Sequence, residues 1–340
     1  MKNLVTGATG FIGSHIAERL MEEGEDVVAL VRRSSNTQFL ESIMVRLSYG
    51  DINDFDSLKI AMKGVDRIYH CAAIAEEWIS QKEAYRVNVE GTRNLLECAR
   101  VEKVKRFIFI SSLAVLGMKD HYGTPRDAPY HKSGDSYIDT KIDSEKLVLE
   151  YHRNFNLPVT VIRPGFVFGP RDKKFIPRIL ERLSKDKFIF VGNGKNKIDV
   201  VYIDNLLNAI LLAGKNQGSV GQIYNVTNDS GMDLENFIFK IADVWRFKRP
   251  SRHMPKFIGY LVCRLLGTWA AITKSKKPPY ITKTGIKFLS LNLDFDITRT
   301  REELGYEPLV DIEEGLMRTK RWMEEGSKNE FHNREYKIAA

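Results

Sequence analysis

Tyr137 and Lys141 stand four residues apart inside a stretch of helical pattern, so their side chains share one face. A phenol titrates at about pH 10 and is by itself a poor base near neutrality. An ammonium group beside it favours the phenolate and lowers that pKa, which makes Tyr137 a usable proton donor or acceptor. Ser111 and Ser112 close the apolar run that begins at Phe107. A hydroxyl at the end of such a run can hold a carbonyl oxygen and stabilise charge that develops there; the alternative is that the serines merely cap the strand. Ser112 is assigned to the substrate oxygen, and Ser111 to the cofactor side or the backbone.

These groups handle a proton and an oxygen only, and the N-terminus supplies a candidate site for a cofactor. The run Lys2–Thr6 leads into Gly7-Ala8-Thr9-Gly10-Phe11-Ile12-Gly13 and then a helical pattern. Glycines three and three apart close the turn, admit a pyrophosphate to the backbone and let the helix pack on the strand. The free N–H groups at the helix start then hold the phosphate. The loop thus predicts a dinucleotide site, and Lys141 would reach ribose hydroxyls of the bound molecule. At the end of the second strand, where NAD sites carry an acid for the ribose 2′-hydroxyl, stands Leu30-Val31-Arg32-Arg33-Ser34. Either Arg32 or Arg33 pairs with a 2′-phosphate, or both are solvated surface arginines. The reading taken is Arg32 and NADP in preference to NAD.

Positioning these residues requires a sheet. Strand-like runs fall at 3–6, 26–31, 44–49, 67–71, 107–111 and 159–163, separated by helical patterns at 12–22, 54–62, 83–102 and 136–154. The runs are apolar on both faces, as in parallel strands covered by helices, so an α/β Rossmann-type doubly wound sheet is expected. After Pro170 the rhythm breaks. A helix is expected at 175–183, short strands at 187–191 and 199–203, a helix at 205–213, and a strand at 222–226 returning to the sheet. The expected organisation is a dinucleotide-binding region at 1–170, with 198–227 rejoining its sheet. A smaller, mostly helical substrate region comprises 171–197 and 228–325, and a frayed polar tail 326–340.

The 340 residues are 43% hydrophobic and 28% charged, enough to bury a substantial core and unlike a disordered chain. Cys71, Cys98 and Cys263 lack the spacing of a zinc site or a disulfide framework, so a reduced, cytoplasmic setting and no metal are expected. The strand-like start leaves no room for a signal peptide, and no apolar run is long enough to span a bilayer. The net charge of +8 admits nucleic acid, a membrane surface or a phosphate-bearing ligand. Basic residues occur along the chain without a nucleic-acid module, so nucleic acid is set aside.

In combination, these motifs resemble the extended short-chain dehydrogenase/reductase superfamily, from Lys2 to about Met323. The resemblance rests on the glycine loop, Gly50-Asp51-Ile52, His70-Cys71-Ala72-Ala73, Asn88-Val89-Glu90-Gly91-Thr92, Ser111-Ser112, Tyr137 with Lys141, and Arg163-Pro164-Gly165-Phe166-Val167-Phe168-Gly169-Pro170. It implies that Asp51 and Ile52 flank the adenine and that Cys71, Ala72 and Ala73 pass under the cofactor. By the same resemblance Pro164, Gly165 and Val167 border the nicotinamide, and Asn88 fixes its helix against the fourth and fifth strands. A homodimer through the helices at 83–102 and 136–154 is implied likewise.

Within that superfamily three positions depart from the nucleotide-sugar epimerases and dehydratases. Phe166 stands where those enzymes usually carry an Asn, Ile198 where they often carry an Arg, and Leu113-Ala114 where 4,6-dehydratases carry an acidic pair. Each replaces a polar contact with apolar surface, which fits a less polar substrate. Gly192–Asp199 is similar to the 3β-hydroxysteroid and sterol dehydrogenase branch, and Leu-Val-Arg at 30–32 to dihydroflavonol reductases. The expectation is hydride transfer between nicotinamide and a largely apolar alcohol or ketone. The alternatives are a nucleotide-sugar epimerase with tightly held NAD, or a cofactor-binding regulator, which would tend to lose the tyrosine–lysine pair. The apolar segment 257–272, flanked by basic residues to 277, is a lid over the substrate pocket, a core helix, or a peripheral membrane contact.

Overall fold

The backbone of the computed structural model is described over residues 1–75, 79–272 and 283–338, and its side chains over the same ranges less 266–272, 283–284 and 327–338. The strands are β1 (Lys2–Thr6), β2 (Asp26–Val31), β3 (Arg46–Tyr49), β4 (Arg67–His70), β5 (Arg106–Ile110), β6 (Val159–Pro164), β7 (Phe166–Phe168), β8 (Phe190–Val191), β9 (Val200–Tyr202), β10 (Ile223–Val226) and β11 (His253–Met254). Seven of them form one sheet in the order β10-β6-β5-β4-β1-β2-β3, and every pairing is parallel. Apolar residues on both faces of the central strands are the cause: β1, β4, β5 and β6 are almost wholly buried beneath helices on either side. Strand order reverses between β1 and β4, which opens a crevice at the carboxyl edge, where ligands of such sheets bind.

Helices fall close to the expected patterns: Phe11–Glu22, Phe55–Met62, Ser136–Phe155, Phe175–Ser184 and Ile203–Lys215. The expected third strand begins two residues late, because exposed Met44 sits in the left-handed region at φ 57°. The helical stretch around 83–102 is continuous from Gln81 to Val101 but contains a five-residue π turn, Arg86–Glu90.

Two expectations are corrected. Val200–Tyr202 does not join the main sheet; it pairs with β7 in a separate two-stranded sheet, and only Ile223–Val226 returns to the main one. The backbone of the polar tail is helical up to residue 338: one helix runs Ile312–Ile338.

Candidate active site

The glycine loop follows β1. Gly7 takes φ 67°, and a Cβ there would lie 2.7 Å from the Ala72 amide; a Cβ on Gly13 would lie 2.3 Å from the Gly7 carbonyl oxygen. The helix Phe11–Glu22 starts at Gly10 without a side-chain cap and without an acid in its first turn. Its first N–H groups therefore meet no capping side chain and no acid of their own first turn among the described residues, and Thr9 and Gly10 are exposed beside them. This cradle fits a dinucleotide pyrophosphate.

The flanking residues lie along the same edge. Arg32 is exposed just past β2, with no carboxylate within ion-pair distance among the described residues, whereas the Arg33 guanidinium lies 5.7 Å from the centre of the Tyr49 ring. Asp51 is half-buried, its Oδ1 accepting from the Asn53 amide at 2.8 Å and side chain at 2.9 Å. Ile52 packs so closely on Gly91 that a Cβ there would sit 2.6 Å from Ile52 Cδ1. After β4 the chain is tied back to Thr6, whose carbonyl accepts from the Cys71 amide and whose hydroxyl accepts from that of Ala72. Burial pushes the Cys71 thiol up to about 12 even though Lys141 is near, so it is no nucleophile. His70 lies in β4, between the hydroxyls of Thr6 (2.7 Å) and Thr92 (2.9 Å), and burial depresses it to about 3; it is a neutral strut. Asn88 holds Ile74, in the loop after β4, through both its amide atoms and bonds Thr140 on the Tyr137 helix. The expected role of fixing a helix against β4 and β5 is thereby corrected to one of joining that loop and helix.

Asp135 caps the helix Ser136–Phe155 by accepting from the amides of Tyr137 and Ile138, which places Tyr137 in its first turn. Ser112 lies just beyond β5, half-buried, its hydroxyl accepting from the Ala114 amide at 3.2 Å. It therefore caps a short 3₁₀ turn, and it lies near enough to the Tyr137 phenol to favour the ionised form. Lys141, one turn on, is buried and donates to the Ile110 carbonyl at 2.6 Å, with its ammonium 4.7 Å from the centre of the Phe109 ring.

The electrostatics differ from expectation. Burial raises Tyr137 to about 12, opposed by nearby Ser112, and Lys141 is not among the groups that move it. Lys141 is itself lowered by burial to about 8. Its Nζ is held by the carbonyl at the end of β5. What the pair possesses in this arrangement is a protonated phenol and a lysine whose charge changes near neutrality.

Beyond Ser112 the surface is apolar. Leu113, Val115, Leu116, Ile138, Leu293 and Phe295 form a buried cluster, with Ala114, Met118, Tyr137, Phe166 and Leu291 packed at its margin. The Phe166 ring is stacked on Phe175 at 5.4 Å and meets the edge of Phe288 at 4.6 Å. Of the three departures noted in the sequence, Phe166 and Leu113-Ala114 thus line or underlie this wall. Ile198 does not: it is 1% exposed within the main core, so its apolar side chain is explained by packing. Gly165 lets the chain before β7 approach that before β9, since a Cβ there would lie 2.4 Å from the Asp199 carbonyl oxygen. Val167 is half-buried beside it, and Pro164 ends β6.

Sequence reasoning missed Glu145. Fully buried, it accepts from Ser111 (2.5 Å), Tyr130 (2.9 Å) and the Arg163 guanidinium, which is itself 1% exposed. The hydroxyl of Ser111 is thus engaged by Glu145. The signal was the repeat of four that continues from Tyr137 and Lys141 to Glu145 on one helix face.

Asp199 is also buried, its carboxylate accepting from the Phe295 amide at 2.6 Å; burial lifts it to about 7. With an ordinary value of 3.8 when unfolded, the folded chain binds the extra proton between these limits. Asp199 therefore stabilises the fold most below pH ~4, and that contribution is lost as pH rises through ~7. His15 and His70, both depressed to about 3, act with the opposite sign between pH 3 and ~6.5. Urea midpoints of the wild type minus those of Asp199→Asn, from pH 4 to 8, isolate the carboxyl: the difference should change steadily against the wild type as pH rises. A pH-independent difference would remove the assignment.

Residues 3–227 match the model of the NAD dependent epimerase/dehydratase family. The chain belongs to that family, and with it to the NAD(P)-dependent enzymes of oxidation and reduction. It is 30% identical to the human sterol-4-alpha-carboxylate 3-dehydrogenase, decarboxylating, over 93% of this chain and 86% of that one. It is 28% identical to a 2-alkyl-3-oxoalkanoate reductase of Shewanella oneidensis, over 93% and 84%. The structure of the dTDP-glucose 4,6-dehydratase DesIV of Streptomyces venezuelae, solved with NAD and TYD bound, superposes with a TM-score of 0.77 at 25% identity, covering 96% of this chain and 97% of that one.

Proposed function

We propose that the chain is an NADP-preferring oxidoreductase acting on a largely apolar alcohol or ketone, of the sterol or β-keto kind. The observation that carries this reading is the aromatic wall of Phe166, Phe175 and Phe288, whose Phe166 packs on the same apolar cluster as Tyr137, where a sugar nucleotide would call for amide and cationic groups. The names of the sterol dehydrogenase and oxoalkanoate reductase relatives support the same substrate class.

The cofactor would be held by Gly7, Thr9, Gly10, Phe11, Ile12 and Gly13 at its phosphates, and by Asp51, Ile52, Cys71, Ala72 and Ala73 along its length. Pro164, Gly165 and Val167 would border its reactive ring. When bound, it supplies or accepts the hydride. The rest of the chemistry belongs to the chain. In the reducing direction, Ser112 donates a hydrogen bond to the substrate oxygen, and Tyr137 gives that oxygen its phenolic proton as the carbon is reduced. A phenol held protonated by burial suits the donor role. The resulting phenolate recovers a proton from solvent, with Lys141, titrating at about 8, holding positive charge nearby when protonated. Oxidation runs the same transfers backwards.

Arg32 would pair with the 2′-phosphate. Arg32→Ser should raise the KM for NADP by about tenfold or more, the weight of one charge-assisted hydrogen bond, and leave that for NAD nearly unchanged. Equal effects on both would assign Arg32 to solvent. A cytoplasmic setting, a homodimer and a peripheral membrane contact through 257–277 belong to the same reading.

Mass spectrometry of the small molecules released on denaturing the purified protein tests the whole. NADP with a ketone or lipid, or little retained nucleotide, supports it. Stoichiometric NAD would point to an epimerase, which must keep its cofactor through an oxidation–reduction cycle.

A further inference from the structure

Ser112 and Tyr137 have to meet one substrate oxygen, yet the connection 113–135, which has little regular structure, separates them in the chain. Local chain geometry leaves their mutual position open, and tertiary contacts must fix it.

Those contacts converge on Glu145. At the end of β5, Ile110 and Ser111 are each tied to the helix Ser136–Phe155. The Ile110 carbonyl accepts from Lys141 at 2.6 Å, and the Ser111 hydroxyl donates to Glu145 Oε2 at 2.5 Å. Lys141 and Glu145 are one helical turn apart and the two bonds run in opposite directions, so together they fix where the strand end lies along the helix. Ser112 is the next residue. Toward the other end of the connection, the Tyr130 hydroxyl donates to Glu145 Oε1 at 2.9 Å. The Arg163 guanidinium, from β6, holds the carboxylate itself and donates to the Arg126 carbonyl at 2.6 Å, within the same connection. Both flanks of the segment between the two reacting groups thus end on one carboxylate and its counter-ion.

Stability does not require this arrangement. Apolar side chains of equal volume commonly stabilise as well as a buried ion pair, because desolvating both charges offsets their attraction. What apolar packing lacks is direction, and a carboxylate that accepts from strand, connection and counter-ion supplies it. Glu145 is fully buried with both oxygens occupied by donors of this chain, so it acts through them and not on a ligand. Its charge also favours the ammonium form of Lys141, against the burial that lowers it.

We infer that Glu145 is a positioning residue for catalysis: through Ser111 and Tyr130 it sets the Ser112 hydroxyl against the Tyr137 phenol so that both reach one oxygen. The geometric part stands alone; its effect on turnover rests on the oxidoreductase reading above.

Because removing Glu145 strands the Arg163 charge, the test uses Ser111→Ala and Tyr130→Phe, which leave that ion pair in place. Crystal structures of the wild type and of the double variant should differ by about 1 Å in the separation of Ser112 Oγ and Tyr137 Oη, a misplacement that costs ~10²-fold in rate. With NADPH and ethyl 2-methylacetoacetate, a β-keto ester of the proposed class, kcat should fall about tenfold in each single variant and ~10²-fold in the double one. The Kd for NADPH should stay within about twofold. Ser111→Thr, which keeps the hydroxyl, should retain most of the turnover. An unchanged separation overturns the inference, and so does a wild-type kcat in the double variant. Loss of kcat matched by loss of NADPH affinity also overturns it, by giving Ser111 to the cofactor. A lowered urea midpoint with kcat per folded molecule unchanged would leave Glu145 with stability alone. Failure of the wild type to reduce the ketone bears on the oxidoreductase reading, and the crystal comparison still decides the positioning.

Discussion

Tyr137→Phe should lower kcat by ~10²–10⁴-fold, the usual weight of a positioned proton donor, while the Kd for NADP changes little. The phenyl ring keeps the shape of a half-buried residue in the first turn of its helix and removes only the hydroxyl near Ser112. Turnover and cofactor titration measured on one preparation separate the two effects. Near-normal turnover in the phenylalanine variant would falsify the proton-transfer role. Equal loss of turnover and cofactor affinity would make Tyr137 a binding residue.

The second large effect concerns stability. Glu145→Ala should destabilise the fold by ~3–5 kcal/mol, because it strands the buried Arg163 guanidinium without its counter-ion. Arg163 would retain its bond to the Arg126 carbonyl and its position over the Tyr130 ring, which is insufficient compensation for a desolvated charge. Glu145→Gln keeps the volume and one acceptor and should cost less. Replacing both partners, Glu145→Gln with Arg163→Met, should recover part of the loss, since no unpaired charge remains. Urea denaturation of the wild type, Glu145→Gln, Arg163→Met and the double variant checks the cycle; strict additivity would mean the two groups do not act as a pair.

Periodicity carries the identity of an element but not its neighbours, and that divides the legible parts of this fold from the rest. β2 and β6 announce themselves by their apolar runs; β2 has the bounds of its run, and β6 extends one residue past its own, to Pro164. The glycine loop is likewise readable, because close backbone contacts at Gly7 and Gly13 admit no side chain. A pattern does not name a partner, however. Val200–Tyr202 is apolar enough for the main sheet, and only the tertiary fold assigns it to β7. Ile198 could be a pocket residue or a core residue from its type alone, and burial decides. Lys141 is correctly placed on the face of Tyr137, yet the direction of its ammonium is set by the Ile110 carbonyl thirty-one residues earlier, a contact that no local pattern encodes.

The π turn at Arg86–Glu90 carries a consequence for insertions and deletions. One surplus residue shifts the angular phase of the helix before it by about 100° relative to the helix after it. That shift lets Asn88 reach Ile74 and Thr140 while Thr92, four residues on, still meets His70. Restoring an ideal helix by deleting one residue between 86 and 90 would improve local geometry and break the joint between the loop after β4 and the Tyr137 helix. The chain is therefore tuned at this point by its residue count: a substitution that kept the length would be tolerated more easily than a shortening that left every side chain's identity intact.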